Sequence, residues 1–255
     1  MLYLTFVDIW WQFLLFIIGS YLVGNINFAV IISLIKKNDI RKLGSGNPGT
    51  LNMSRNFGLG IGVLTLVLDI VKGALPTLVA MLVYDKFYFQ DTQLSVGMVA
   101  KVMCGFFAVL GHVFPVFMKF KGGKGIATTI GVFAVCSPKV AIISGVIAII
   151  WILLTEIGAM GSFIATTPPA FATCLWIYET YIQNQIVVST EQVLLAATSN
   201  LFIISIIFLT WYAHRQNIKR LMAGEEHPTN WLQMLREKRI LRKIKKLKEN
   251  SIDEK

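Results

Sequence analysis

The sequence predicts an all-α polytopic membrane protein, and three observations lead to this fold class. Hydrophobic residues make up 55% of the 255 residues and charged residues only 15%, whereas soluble domains carry about 25% charge. The mean hydropathy is +0.64. Several apolar runs approach or exceed the roughly 20 residues that a helix needs to cross a bilayer. We expect one membrane-embedded domain over residues 1–230 and a basic cytoplasmic tail over residues 231–255.

About seven transmembrane helices are predicted, of which five are full spans and two form a short pair. The full spans are about Ile9–Ile35, Leu59–Val83, Ser95–Met118, Gly158–Tyr178 and Val193–Ala213. The short pair comprises Ile126–Cys136 and Val140–Ile157, which are separated at Ser137-Pro138-Lys139. Proline favours a turn or kink there because it has no backbone N–H and its ring clashes with the preceding turn of a helix.

The charges of the polar segments predict the orientation in the membrane. Residues 36–57, residues 119–125 and the tail from His214 are rich in Lys and Arg, whereas residues 84–93 and 178–191 carry an excess of acids. Loops rich in Lys and Arg face the cytoplasm. We therefore expect the N-terminus outside and the C-terminus in the cytoplasm.

The short pair of helices must enter the membrane and return, because both of its ends are predicted on the cytoplasmic side. The eleven residues of Ile126–Cys136 rise only about 16 Å as a helix, and the hydrocarbon core is about 30 Å thick. A helical hairpin that stops partway fits this length. The alternative is one kinked span over residues 126–157, which would place the basic tail outside.

The first polar cluster is GSGNPGTLNMSR, residues Gly44–Arg55. Its small residues allow backbone N–H groups to face an anion, and the N-terminus of the following helix adds positive potential. Arg55 is able to bind a phosphate through two hydrogen bonds. The alternative is a polar turn that ends in a positive anchor.

The second polar cluster is KFKGGKGIATT, residues Lys119–Thr129. Gly-Gly-Lys-Gly directly before a helix is a phosphate-binding layout. The residue after Lys124 is glycine and no strand precedes the loop, so the nucleotide-binding pattern G-x-x-x-x-G-K-[ST] is not met. The alternative is a short loop whose lysines only obey the orientation rule, with Lys119 as an anchor.

The third polar cluster is HRQNIKRL, residues 214–221, at the inner end of the last span. His214, Asn217 and Leu221 recur at i, i+3 and i+7, which places them on one face of a helix. The alternative is a basic end that stops translocation.

A pair of opposite charges, Asp69 and Lys72, lies inside the second span at i and i+3. Ions inside a membrane usually pair with each other and face a bundle interior or a cavity. Together with the three clusters, the pair indicates one cavity that opens to the cytoplasm; a purely structural pair is the alternative. Lys101, near the outer end of the third span, is expected to extend its ammonium group to the membrane surface.

Taken together, these motifs resemble those of the bacterial acyl-phosphate-dependent glycerol-3-phosphate acyltransferases. The resemblance rests on GSGNPGTLNMSR, on DIVKG at Asp69–Gly73, on GHVFPVFMKFKGGKGIAT, and on HRQNIKRL followed by Glu225. The order and spacing are those of the family, from the first span to about Glu225. One departure is Thr50-Leu51 where the family reads Ala-Thr, so neither position is carried over as functional.

The resemblance implies a multi-pass enzyme of the bacterial plasma membrane, with seven helices and its active site facing the cytoplasm. Such enzymes transfer a fatty acyl group from acyl phosphate to the 1-hydroxyl of glycerol 3-phosphate, giving lysophosphatidate and phosphate, the first step of bacterial phospholipid synthesis. They use no cofactor, nucleotide, acyl-CoA or acyl carrier protein at the site. The expected partners are both substrates, the lipid bilayer and, transiently, the enzyme that makes acyl phosphate.

The matched motifs also imply which residues form the site. The catalytic set is Ser45, Arg55, Lys124, His214 and Asn217. The set that binds substrate or phosphate is Gly46, Asn47, Asn52, Lys72, Gly122, Gly123, Arg220 and Glu225, with His112 and Asp69 as additional candidates. In this scheme Lys124 and the amides of Gly122 and Gly123 hold a phosphate, while His214 and Asn217 position the attacking hydroxyl.

The residue types agree with this chemistry. Two phosphates repel each other strongly in a poorly hydrated site, and clustered Arg, Lys and backbone donors offset that repulsion. An acyl phosphate is already activated, so no covalent serine is needed, and no G-x-S-x-G elbow appears. The three histidines are scattered, and no metal site is expected.

A carrier or channel for a phosphorylated anion is the rival hypothesis, because broken helices and a basic cavity also suit transporters. Two features favour the enzyme: all clusters are predicted on one side, and the sequence has no inverted repeat. A purely structural scaffold would leave the intramembrane pair and the motifs unexplained.

The tail over residues 231–255 predicts a basic amphipathic helix that lies on anionic lipid. Eight basic residues fall within Arg236–Lys248. The apolar residues, spaced mostly by three, are Leu232, Leu235, Leu241, Ile244 and Leu247. A disordered basic tail is the alternative, and nucleic acid is not expected as a partner.

Overall fold

A computed structural model describes residues 2–90, 92–226, 228–229, 231–234, 236, 239–240 and 244. Ten α-helices dominate this part of the chain. They are α1 (Phe6–Asn25), α2 (Phe28–Ile35), α3 (Thr50–Phe57), α4 (Leu59–Val83), α5 (Val96–Val113), α6 (Ile126–Cys136), α7 (Pro138–Thr155), α8 (Gly158–Tyr178), α9 (Thr190–Ala213) and α10 (Arg215–Met222). Two short strands, β1 (Leu2–Leu4) and β2 (Phe87–Phe89), pair in parallel. The all-helical fold class is confirmed.

Among the residues that the structure describes, five helical segments are long and apolar enough to cross a membrane, but the set differs from the predicted one in one member. They are Phe6–Ile35, Leu59–Val83, Val96–Met118, Pro138–Thr155 and Thr190–Ala213. Helix α8 has 21 residues, yet two prolines and several Gly, Ser and Thr residues lower its hydropathy. Helix α7, which was predicted as half of the short pair, meets both criteria instead.

The first predicted span consists of two helices, because the chain breaks between α1 and α2. Ile26 and Asn27 have extended backbone conformations, and the side chain of Asn27 accepts a hydrogen bond from the N–H of Val30. This N-cap replaces the backbone carbonyl that an uninterrupted helix would use.

Helix α5 forms the centre of the bundle and packs against α1, α4 and α9. Fifteen of its 18 residues are buried. Lys101 is among them, only 7% exposed, with its ammonium nitrogen 5.2 Å from the ring centroid of Trp176. The prediction that Lys101 reaches the membrane surface is therefore wrong. Neighbouring helices surround α5, and the Trp176 ring provides a cation–π contact in place of water.

Helices α6 and α7 lead into the bundle and back. Helix α6 packs closely on α4, where a Cβ on Gly131 would overlap the carbonyl oxygen of Ile70. The break comes at Ser137, whose hydroxyl donates to the carbonyl oxygen of Pro169, about halfway along α8. Proline at the first position of α7 restarts the helix.

Helix α7 then runs antiparallel to α8, toward the end of the bundle where α6 began. The hydroxyl of Ser144 lies 3.4 Å from the carbonyl oxygen of Ala165. At the end of α7, the carbonyl oxygen of Glu156 accepts a hydrogen bond of 3.0 Å from the N–H of Thr229. The path into the bundle and back agrees with the sequence-based prediction for this pair.

Candidate active site

A cavity of about 320 Å³ opens where α3, the loop before α6, and α10 meet. Most of the predicted site residues line it, although they come from four distant parts of the chain. They are Ser45, Asn47, Asn52, Arg55, Asp69, His112, Lys124, His214, Asn217 and Arg220. The lining does not include Gly46, Lys72, Gly122, Gly123 or Glu225. The structure thus brings the three polar clusters together around one space.

The loop before α3 is folded by the buried side chain of Asn52, which is 2% exposed. Its amide nitrogen donates to the carbonyl oxygens of Leu43 (2.9 Å) and Asn47 (3.1 Å), and its oxygen accepts from the N–H of Ser45 at 3.3 Å. The glycine at 46 has φ +70°, a conformation that other residues adopt rarely. Asn52 therefore acts by holding Ser45 and Asn47 at the cavity wall.

Arg55 lies at the cavity mouth. Its guanidinium donates a 2.7 Å hydrogen bond to the carbonyl oxygen of Pro228, in the chain that follows α10. That same stretch places Thr229 against the α7–α8 turn and Trp231 at the cavity wall. Residues on both sides of the predicted boundary at 230 therefore contribute to the site.

The glycines of the second cluster do not have the predicted role. The N–H of Gly122 donates to the carbonyl oxygen of Val113 (3.1 Å), and the N–H of Gly123 donates to that of His112 (3.2 Å). Both N–H groups are already paired with carbonyl oxygens at the end of α5. The prediction that they bind a phosphate is therefore wrong. Glycine is needed because a Cβ at position 122 or 123 would overlap the backbone or ring of His112.

The backbone donors that face the cavity belong instead to the start of α6. Gly125, at φ +81°, forms the N-cap, and the next two residues, Ile126 and Ala127, line the cavity. The first N–H groups of a helix have no intrahelical partner, and the positive end of the helix dipole favours an anion there.

Lys124 projects from this loop and donates to the side-chain oxygen of Asn217 on α10. Burial lowers the pKa of Lys124 to about 8. The carboxylate of Glu226 opposes this shift, while the positive charges of Arg220 and Arg55 add to it. A lysine in this setting gains strongly from a bound phosphate, because a nearby negative charge favours the protonated ammonium form.

His214 joins α9 to α10 and is 3% exposed. Its Nδ1 lies 2.9 Å from the carbonyl oxygen of Thr210. A carbonyl only accepts, so we assign the proton to Nδ1, which leaves Nε2 with a free lone pair. Burial, and then the charge of Lys124, lower the pKa of His214 to about 4. The ring is therefore neutral near pH 7.

Glu226, and not the predicted Glu225, is the glutamate that lines the cavity. It accepts a 2.8 Å hydrogen bond from the amide nitrogen of Asn217 and lies 3.5 Å from Nε of Arg220. Glu225 is exposed. The chain turns at Gly224, which has φ +71°, and this turn directs the second glutamate inward. The sequence therefore predicted a glutamate at this point of the site, but one position too early.

The intramembrane pair supports the cavity wall. The ammonium group of Lys72 lies 2.8 Å from Oδ1 of Asp69 and donates a 2.7 Å hydrogen bond to the carbonyl oxygen of Ile26, at the break between α1 and α2. Asp69 lines the cavity, and Nδ1 of His112 lies 3.9 Å from its carboxylate. Lys72 therefore acts through Asp69 and does not line the cavity itself.

Several lining residues were not predicted. Thr50 and Leu51, which depart from the family pattern, line the cavity, as do Ser162 of α8 and Trp231. The remaining lining is largely apolar and comes from α4, α6, α7 and α8. Within the described residues, no group of three or more His, Cys, Asp or Glu side chains is arranged to hold a metal ion.

Comparisons with known proteins place the cavity in context. The family model described as glycerol-3-phosphate acyltransferase matches residues 14–224. The chain is 35% identical to glycerol-3-phosphate acyltransferase 2 of Bacillus anthracis over 215 residues, which are 84% of this chain and 97% of that protein. It is 33% identical to the glycerol-3-phosphate acyltransferase of Mycoplasmopsis pulmonis over 218 residues, which are 86% and 93% of the two chains.

The solved structures that this fold resembles are also those of a glycerol 3-phosphate acyltransferase. The fold is similar to the crystal structure of PlsY (YgiH), an integral membrane glycerol 3-phosphate acyltransferase, in its glycerol 3-phosphate form. The TM-score is 0.69 and the identity 32%, over 88% of this chain and 98% of that one. The lysophosphatidic acid form of that protein matches with a TM-score of 0.68.

Proposed function

This chain belongs to the glycerol-3-phosphate acyltransferase family, and we propose that it transfers a fatty acyl group from acyl phosphate to the 1-hydroxyl of glycerol 3-phosphate. The products are lysophosphatidate and inorganic phosphate. The observation that carries the proposal is the single cavity in which Arg55, Lys124 and Arg220 meet beside an apolar lining. Substrates that each carry a phosphate, one of them attached to an acyl chain, fit this combination.

The cations and the start of α6 receive the two phosphates. Lys124, whose ammonium group is partly desolvated, and the first N–H groups of α6 bind one of them. Arg55 reaches the other by exchanging the carbonyl of Pro228 for a phosphate oxygen. Ser45, held at the wall by Asn52, donates to the oxygen on which charge develops during attack.

His214 orients the nucleophile. Its free Nε2 accepts a hydrogen bond from the 1-hydroxyl, whose oxygen then forms a bond to the acyl carbon while the bond from that carbon to the phosphate oxygen breaks. With a pKa of about 4, His214 is a weaker base than a phosphate group, whose second pKa is about 6. The hydroxyl proton therefore goes to the departing phosphate, and no protein group has to keep it.

We propose the orientation that the loop charges predict, with the N-terminus outside and the site facing the cytoplasm of a bacterial plasma membrane. In this orientation α6 and α7 enter the membrane and return to the cytoplasmic side, with the turn between them at Ser137. The contact of Ser137 with Pro169, halfway along α8, supports a turn inside the membrane. Reaction of single cysteines at positions 121 and 186 with a reagent that does not cross membranes tests the orientation.

The tail is proposed to lie on anionic lipid. Within it, residues 231–234 are helical; Leu235, Leu241 and Leu247, on which the amphipathic pattern depends, lie outside the described residues. Binding to anionic vesicles should fall when residues 236–255 are removed, and binding to neutral vesicles should not change.

The function is tested with purified protein in detergent, supplied with palmitoyl phosphate and glycerol 3-phosphate. Wild type should form lysophosphatidate, and Lys124→Ala should lower kcat/KM by about 10²–10³-fold. Lys121→Ala is the matched control, because Lys121 belongs to the same loop but is exposed and outside the cavity lining. Failure of wild type to form lysophosphatidate would refute the enzyme and leave the carrier, since detergent provides no compartments. Equal loss in both lysine variants would refute the role of Lys124.

A further inference from the structure

The cavity continues from its cationic end into an apolar groove. Two residues spaced by four positions line it on each of three helices, and this spacing is that of one helix face. They are Leu66 and Ile70 of α4, Ile126 and Ile130 of α6, and Gly145 and Ile149 of α7. The pairs on α4 and α6 consist of Leu or Ile, whereas the pair on α7 has glycine at position 145.

The groove leads away from the phosphate-binding residues. Ile126 lies two residues after Lys124, and Ile130 lies one turn further along α6. Helix α7 runs in the opposite direction, so Gly145 lies deeper in the bundle than Ile152, which also lines the cavity. Seven residues of helix separate these two positions, which is about 10 Å.

The deep part of the groove is open toward the membrane. Helix α6 packs on α4, and α7 packs on α8, but α4 and α7 do not pack extensively on each other among the described residues. Ile149 of α7 lines the cavity and is nevertheless 51% exposed. A long apolar chain that begins at the cationic end therefore has a continuous path along α7 into lipid.

Gly145 differs from the other helical glycines near this path. A Cβ at Gly131 would overlap the backbone of α4, and one at Gly161 would overlap the side chain of Ile152. A Cβ at Gly145 would meet no atom within 4 Å. Close packing of helices explains the first two glycines but not the third, so the space beside Gly145 is available to a ligand.

We propose that Gly145 determines which acyl chains the enzyme accepts, because its missing side chain leaves room for a long chain to pass along α7 into the bilayer. The occupant is the acyl chain of the acyl donor and of the lysophosphatidate product, which is continuous with the phosphate in the cationic part of the cavity. This inference rests on the acyltransferase function proposed above. Gly145 is a specificity-determining position and takes no part in the chemistry.

The test compares Gly145→Leu with wild type on octanoyl phosphate and palmitoyl phosphate. An extended eight-carbon chain is no longer than the stretch from Ile152 to Gly145, whereas a sixteen-carbon chain continues past it. The ratio of kcat/KM for palmitoyl to that for octanoyl phosphate should fall about tenfold or more. Turnover of octanoyl phosphate by the same variant shows that it is folded.

Gly19→Leu is the matched control, since Gly19 is an exposed helical glycine of α1 with no atom within 4 Å of a Cβ, outside the cavity lining. It should keep the wild-type ratio. If Gly145→Leu unfolds, Gly145→Ala should lower the ratio to a smaller degree. An unchanged ratio, or an equal loss with both donors, would overturn the proposal. Absence of turnover in wild type would instead refute the proposed function.

Discussion

The two glycine-rich loops of the cavity look alike in sequence but differ in how they build the site. The loop before α3 brings polar side chains to the wall, Ser45 and Asn47 among them, and Asn52 ties its backbone together. In the loop before α6, the amides of Gly122 and Gly123 donate to carbonyl oxygens at the end of α5. Only its end, with Lys124 and Gly125, reaches the cavity.

The difference shows that glycines beside a lysine do not by themselves identify amide donors for a phosphate. In the loop before α6, glycine permits close packing on His112, and this packing sets the position of Lys124. In the loop before α3, the side chain of Asn52 sets the position of the backbone through its hydrogen bonds. Added side-chain volume should therefore displace the loop before α6, whereas the loss of hydrogen bonds should displace the loop before α3.

Adding volume to the second loop should have the larger effect. In Gly123→Ala the new methyl group overlaps the buried ring of His112, so the loop must move and carry Lys124 with it. A displacement of about 1 Å at a catalytic group lowers the rate by about 10²-fold. We expect that loss in kcat/KM, measured as lysophosphatidate formation with saturating acyl phosphate.

Gly60→Ala is the matched control for this substitution. A Cβ there meets no atom within 4 Å, and replacing an exposed helical glycine by alanine is neutral or stabilising. Wild-type kinetics in Gly123→Ala would contradict the view that close packing positions Lys124.

Removing hydrogen bonds from the first loop should have an intermediate effect. Asn52→Ala leaves the carbonyl oxygen of Leu43 without this donor and frees the N–H of Ser45. Leaving a buried polar group unpaired costs about 1–3 kcal/mol, so thermal unfolding in detergent should occur at lower temperature. We expect kcat/KM to fall about tenfold, the equivalent of about 1.4 kcal/mol, because Ser45 loses its fixed position.

Asn56→Ala separates this role from a general effect of the loop. Asn56 donates to the backbone and side-chain oxygens of Asn52 from an exposed position. Exposed substitutions of this kind change stability by about 0.5 kcal/mol or less. If both variants behave alike, Asn52 is not the residue that organises the loop.

The sequence predicted those features of the fold and the site that depend on residues close together in the chain. Composition and the length of the apolar runs predicted the all-helical membrane fold class. Motif order predicted that three polar clusters meet, because loops on one side of a helical bundle lie near each other. Even the intramembrane pair of Asp69 and Lys72 was recognisable, since isolated charges in an apolar helix need a partner.

Predictions from the sequence were wrong where contacts between distant elements determine the position of a residue. Lys101 is buried because other helices surround α5, which hydropathy along one helix does not reveal. The amides of Gly122 and Gly123 are occupied because the loop packs on the end of α5. Glu226 replaces Glu225 because a turn at Gly224 follows α10, and a one-residue shift at a helix end is below what periodicity resolves.

The smallest predicted effect concerns pH and follows from Lys124, the lysine of the second loop that lines the cavity. The pKa of Lys124 is about 8, and a phosphate binds to the protonated form. As pH rises through about 8, the free enzyme loses this proton, so kcat/KM should fall. His214, with a pKa of about 4, stays neutral throughout this range and does not contribute to the decline.

Glu226→Gln sharpens the assignment of that decline to Lys124. The carboxylate of Glu226 raises the pKa of Lys124, while Arg220 and Arg55 lower it. Glutamine keeps an oxygen that accepts from Asn217 but removes the charge, so the decline should move to lower pH. Glu225→Gln, at the exposed neighbour, should leave the profile of kcat/KM against pH unchanged. A decline at the same pH in all three proteins would mean that another group controls it, and Lys124 would then bind phosphate without titrating in this range.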